Sequence, residues 1–72
     1  MRAKINIDTL SKINKFVSIC SIFDGQIYLV DGARCCVSAK SLIGAIATMD
    51  WTEVHVESEK DIYTDIKEFI VE

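Results

Sequence analysis

Proline is absent from this 72-residue chain, glycine occurs three times, and histidine and tryptophan once each. There is no low-complexity tract and no internal repeat, so nothing in the sequence divides it. The length accommodates a single domain, residues 1–72, with a small core. No apolar run reaches the roughly 18 residues that a transmembrane helix needs. The opening MRAKINID is basic but lacks the apolar stretch of a secretory signal. The expectation is a cytoplasmic protein that does not enter the membrane.

Metal-binding spacing is also lacking. Cys20, Cys35 and Cys36 form no C-x-x-C pair, combine with no histidine at a zinc-like interval, and are odd in number. The adjacent pair can join only through a strained ring. All three read as small hydrophobes or inert strand residues. Basic charge is scarce where acid is plentiful. Residues 1–49 carry six basic and three acidic side chains, and residues 50–72 carry two and eight, for a net charge of −3. Without a basic stripe the chain lacks the phosphate neutralisation that supplies most nucleic-acid affinity, so nucleic acid is not an expected partner.

The residues present alternate between two periods. AKINI (3–7) alternates as a strand, and Asp8 or Thr9 is placed to cap the helix that follows. Leu10, Ile13, Val17 and Cys20 recur at helical spacing, flanked by Phe16 and Phe23, and FDG (23–25) supplies a helix stop. QIYLV (26–30) and RCCV (34–37) read as strands joined by a DGA hairpin turn. SLIGAIATM (41–49) is a short helix, and WTEVHVE (51–57) a strand with Val54 and Val56 on one face. Ser58 is expected to cap a last helix whose apolar face is Ile62, Ile66, Phe69 and Ile70.

The stretch VSAKSLIGAI (37–46) sets two serines and a lysine where a strand gives way to a helix. It suits a phosphate site, a docking face or a plain helix start. Leu42, Ile43 and Ile46 fit a core face or a partner surface. Gly44, which costs a helix about 1 kcal/mol relative to alanine, signals close approach by a packing neighbour or a partner. On the first helix, Lys12, Lys15, Ile19 and Ile22 lie opposite the core stripe. That face suits an acidic partner with an apolar centre, or a second copy of the chain. His55 falls between Val54 and Val56, on the face turned from the helices, with no orienting carboxylate, base or arginine assigned to it. No nucleophile–base pair, metal cluster or glycine-rich phosphate loop is found, so neither an enzyme nor a cofactor is expected.

The order β-α-β-β-α-β-α, with Val37, Lys40, Ser41, Leu42, Ile43 and Gly44 at the second helix, resembles the phosphocarrier protein HPr family of the bacterial sugar phosphotransferase system. Phe16, Val17, Cys20 and Phe23 fall where that family places Leu, Val, Ala and Phe. Ile27 and Leu29 fit its Ile-x-Leu strand, and EVHVE its fourth strand. The resemblance spans residues 10–72. It implies an α+β fold, an HPr-like open-faced β-sandwich with one four-stranded antiparallel sheet covered on one face by three helices.

The chain departs from the family at the start of the first helix. Where the family carries His-Ala-Arg-Pro, with the phosphate-accepting histidine, this sequence has Thr9, Leu10, Ser11 and Lys12. Phosphohistidine transfer needs an imidazole nitrogen as nucleophile, and a threonine hydroxyl would form a stable ester. The resemblance therefore implies a non-catalytic relative that binds phosphotransferase-system components or a transcriptional or metabolic regulator. A catabolite-repression variant of the family likewise keeps the serine helix without the histidine. Ser41 matches the serine that an ATP-dependent kinase phosphorylates in many Gram-positive members, and Leu42 and Ile43, beside Lys40, match the partner-facing patch. The alternatives are a phosphocarrier that uses His55, or a structural module that self-associates through its first helix.

Overall fold

A computed structural model describes residues 1–31 and 35–71. Strand β1 (Arg2–Ile5) leads into helix α1 (Leu10–Ser21), then strands β2 (Ile27–Asp31) and β3 (Cys35–Ser38). Helix α2 (Leu42–Ala47), strand β4 (Val54–Ser58) and helix α3 (Tyr63–Ile66) complete the order. The result is an α+β protein with an open, four-stranded sheet in the order β1-β4-β2-β3, every pair antiparallel. Of the proposed DGA turn, Gly32 and Ala33 lie outside the described residues, as does Arg34 from the RCCV strand.

The period of two gives the sheet one apolar face. Ile5, Ile27, Leu29, Val54 and Val56 are buried in a core shared with Ile13, Phe16 and Cys20 of α1 and with Ile62, Ile66 and Phe69 near the C-terminus. Phe16 meets Phe69 edge to face at a centroid distance of 5.3 Å, a favoured aromatic geometry. The pairing register sets two rows across the opposite face. One row is Lys4, His55, Val30 and Cys36, and the other is Arg2, Glu57, Tyr28 and Ser38.

Local chemistry sets the boundaries. Thr9, rather than Asp8, caps α1: its Oγ1 accepts the Lys12 N–H at 3.2 Å. Leu10, expected in the core stripe, is exposed, and the buried stripe is Ile13, Phe16 and Cys20. After α1, Gly25 takes φ +88°, the left-handed conformation that favours glycine. Strand β4 begins at Val54 and not at Trp51. The β1 ladder ends at the Ile5–Val54 pair, so Trp51–Glu53 have no β1 residue opposite them. Ser58 does not cap α3. It is the last residue of β4, its Oγ donates to the Lys60 carbonyl, and Asp61 Oδ1 accepts the Tyr63 N–H at the helix start.

The outer edge of β1 is covered by the C-terminal segment. Asn6 N–H donates to the Phe69 carbonyl at 2.8 Å and Val71 N–H to the Lys4 carbonyl at 2.9 Å, while Ile70 forms an antiparallel bridge to Ile5. Edge strands left open are templates for further pairing, and here the chain's own tail occupies that position.

Candidate docking surface

Helix α2 is held by its first residues. Ser41 Oγ accepts the Gly44 N–H at 3.2 Å, and the Ser41 carbonyl accepts the Ala45 N–H at 2.9 Å. Gly44 explains how the helix seats. A Cβ at this position would lie 3.3 Å from Val37 Cβ and 3.5 Å from the Ser38 carbonyl oxygen. The close approach signalled by the glycine is therefore an internal one, between α2 and β3. Ala45 and, in the 3-10 turn that follows, Thr48 face inward and are buried.

With Gly44, Ala45 and Thr48 turned inward, Leu42, Ile43, Ile46 and Met49 are left in solvent, and Ile43 is 84% exposed. The core alternative for Leu42, Ile43 and Ile46 is not what the fold adopts. Leu42, Ile46 and Met49 recur at i, i+4 and i+7, a continuous stripe along the helix and the turn after it. Met49 also lines a groove of about 260 Å³ between the end of β1 and the segment before β4, with Ile7, Asp8, Thr48 and Trp51 along its walls. Burying one such side chain is worth about 1.5–3 kcal/mol, so four exposed together mark a surface with energy available for binding. Met49 and the groove were not singled out from sequence. Its i+7 relation to Leu42 is the signal that would have found it.

The first helix offers less surface than its spacing implied. Lys12 Nζ pairs with Asp8 Oδ1 at 3.2 Å, and Lys15 Nζ with Glu68 Oε2 at 2.9 Å. Ile19 is half-buried against the core, while Ile22, at the C-cap, is 78% exposed. Lys40, expected beside the partner-facing patch, makes a bond within the fold. Its Nζ donates to the Phe23 carbonyl just after α1, which ties the start of α2 to the end of α1. That ammonium also acts on Cys20, whose thiol burial pushes up to about 12 against the opposing pull of Lys40. Cys20 is therefore a neutral thiol at physiological pH.

His55 lies in the row with Lys4 and Val30 on the sheet face away from the core. It is half-buried, and its Nδ1 is enclosed without a hydrogen-bond partner. Neighbouring charges on that side are matched: Lys4 with Glu53 at 3.6 Å and Arg2 with Glu57 at 3.0 Å. Among the described residues, no group of three or more His, Cys, Asp or Glu side chains is arranged to hold a metal ion. No helix there is long and apolar enough to cross a membrane. Compared with family models, curated proteins and solved structures, the chain matches none.

Proposed function

We propose that this chain is a non-catalytic HPr-like protein that docks onto phosphotransferase-system components or a related transcriptional or metabolic regulator. The observation that carries the reading is the exposed stripe Leu42, Ile43, Ile46 and Met49, running from Ser41 into the Trp51 groove. Burial of that stripe supplies affinity, and phosphorylation of Ser41 beside it supplies control, because a dianionic phosphate changes both the charge and the shape of the surface. The absence of histidine, arginine and proline at residues 9–12 supports docking over phosphate transfer. The enclosed, unpartnered Nδ1 of His55 gives the transfer alternative no accessible nucleophile at that nitrogen.

The test is intact mass with peptide mapping after incubation with phosphoenolpyruvate and ATP in host-cell extract. ATP-dependent phosphate on Ser41 is expected, absent from Ser41→Ala and strongly reduced in Ile43→Lys, since the modifying enzyme must seat on the stripe. Phosphoenolpyruvate-dependent, acid-labile phosphate on His55 would replace this reading with transfer. No phosphate on Ser41 would remove the regulatory half of the proposal.

A further inference from the structure

The two edges of the sheet are treated differently. The C-terminal segment covers β1, whereas β3 is the last strand on its side and, among the described residues, nothing pairs with its outer edge. The hydrogen-bond phase of the β2–β3 ladder says which groups are left over. Ala39 N–H donates to the Ile27 carbonyl at 2.9 Å, which makes that opposed pair a bonded one. Bonded and non-bonded pairs alternate in an antiparallel ladder, so Val37 and Cys35 also turn inward to β2, and Cys36 and Ser38 turn their N–H and C=O outward. The Ser38 carbonyl confirms the phase, because it accepts the Ser41 N–H at 3.2 Å outside the ladder. Cys36 keeps both outward backbone groups without a partner among the described residues.

We propose that β3 pairs with β3 of a second copy of this chain, antiparallel about a two-fold axis at Cys36, to form one continuous sheet. In that register the two Cys36 residues exchange both backbone hydrogen bonds. Strand pairing of this kind is self-complementary, as a two-fold interface requires.

The distribution of charge selects a second copy as the occupant. The four-residue strand Cys35–Ser38 is short, itself a blunting device, but it carries no charged side chain, proline or bulge. The acid-rich third of the chain forms β4, α3 and the segment along β1, away from β3. Across the paired edges the two β4 strands stand five strand spacings apart, about 24 Å. That is well beyond the screening length of about 8 Å at physiological ionic strength, so two chains of net charge −3 meet there without strong repulsion. This surface lies on the Gly44 side of α2 and is separate from the exposed stripe, so the dimer does not depend on the proposed docking function.

Sedimentation velocity under reducing conditions tests the dimer. The full chain is expected to associate reversibly in the micromolar range. Cys36→Pro removes the outward N–H without touching the β2 ladder, a position where an edge strand accepts proline, and should weaken association about thirtyfold by deleting two intermolecular hydrogen bonds. Cys36→Lys sets like charges directly opposite each other and should weaken it about fivefold. Circular dichroism reports whether each variant keeps its fold, and if the proline variant unfolds, Cys36→Lys decides. A full-length chain that stays monomeric up to about 1 mM would overturn the proposal. So would a dimer that the folded variants leave intact.

Discussion

Cys20 occupies core space beside Phe16 and Ile13, and burial pushes its thiol from the ordinary 9.0 up to about 12, with Lys40 pulling weakly the other way. The folded state thus holds this proton more tightly than the unfolded state. Its contribution to stability is complete below about pH 9 and is lost as pH rises toward about 12. Urea unfolding of the protein and of Cys20→Ala should show a stability gap that narrows between about pH 9 and about pH 12. A gap that stays constant would mean that the thiolate is tolerated in the core. At neutral pH a thiol reagent should modify Cys35 and Cys36, which are exposed, and reach Cys20 only on unfolding. His55 has the opposite problem, an enclosed Nδ1 with no hydrogen-bond partner. An unsatisfied buried polar atom costs about 1–3 kcal/mol, and valine is a better strand residue in any case. His55→Val should therefore raise stability by about 1 kcal/mol in urea unfolding, where loss of a structural histidine interaction would lower it.

At the scale of elements, Gly44 is where helix α2 meets strand β3. A helix position ordinarily gains about 1 kcal/mol when glycine becomes alanine. Here the first added carbon already lies 3.3 Å from Val37 Cβ, and a β-branched side chain adds two more against the Ser38 carbonyl and Ser41. Gly44→Val should lower stability by about 1–3 kcal/mol, the usual range for overpacking, and thermal unfolding will read it. The glycine was legible from sequence as a close approach, but not what approached, because Val37 meets it only once the chain has turned from strand to helix. The same limit runs through the fold. The period of two placed Val54 and Val56 in the core, and the helical period found α1. Neither could say that WTE would stop short of β4, since the end of that strand depends on where β1 turns away. Leu42 and Ile46 were equally ambiguous. A helix of six residues makes less than two turns, and apolar residues on every side leave no polar face to orient it. The bond made by Lys40 was hidden for a further reason: the Phe23 carbonyl that accepts it lies 17 positions away.

Over the whole molecule, the sheet has one edge closed by residues 69–71 and one edge that is open among the described residues, and that asymmetry limits how far pairing can proceed. Association through β3 alone about a two-fold axis ends at two copies, because the outer strands of the joined sheet are then both β1, each covered by residues 69–71. Shortening the chain after Phe69 removes the Val71 bond to Lys4 and the Ile70 bridge to Ile5, while the Asn6 bond to the Phe69 carbonyl is retained. The charges on β1 would defend the exposed edge only feebly, since Arg2 and Lys4 are already paired with Glu57 and Glu53. Two open edges on one molecule permit open-ended growth, where one permits only a dimer. Light scattering should therefore find species larger than dimers in the shortened chain at concentrations where the full chain stops at two copies. Adding Cys36→Lys to the shortened chain should return it to dimers or monomers. Growth that ignores that substitution would place the association on another surface, with the exposed α2 stripe the first to examine.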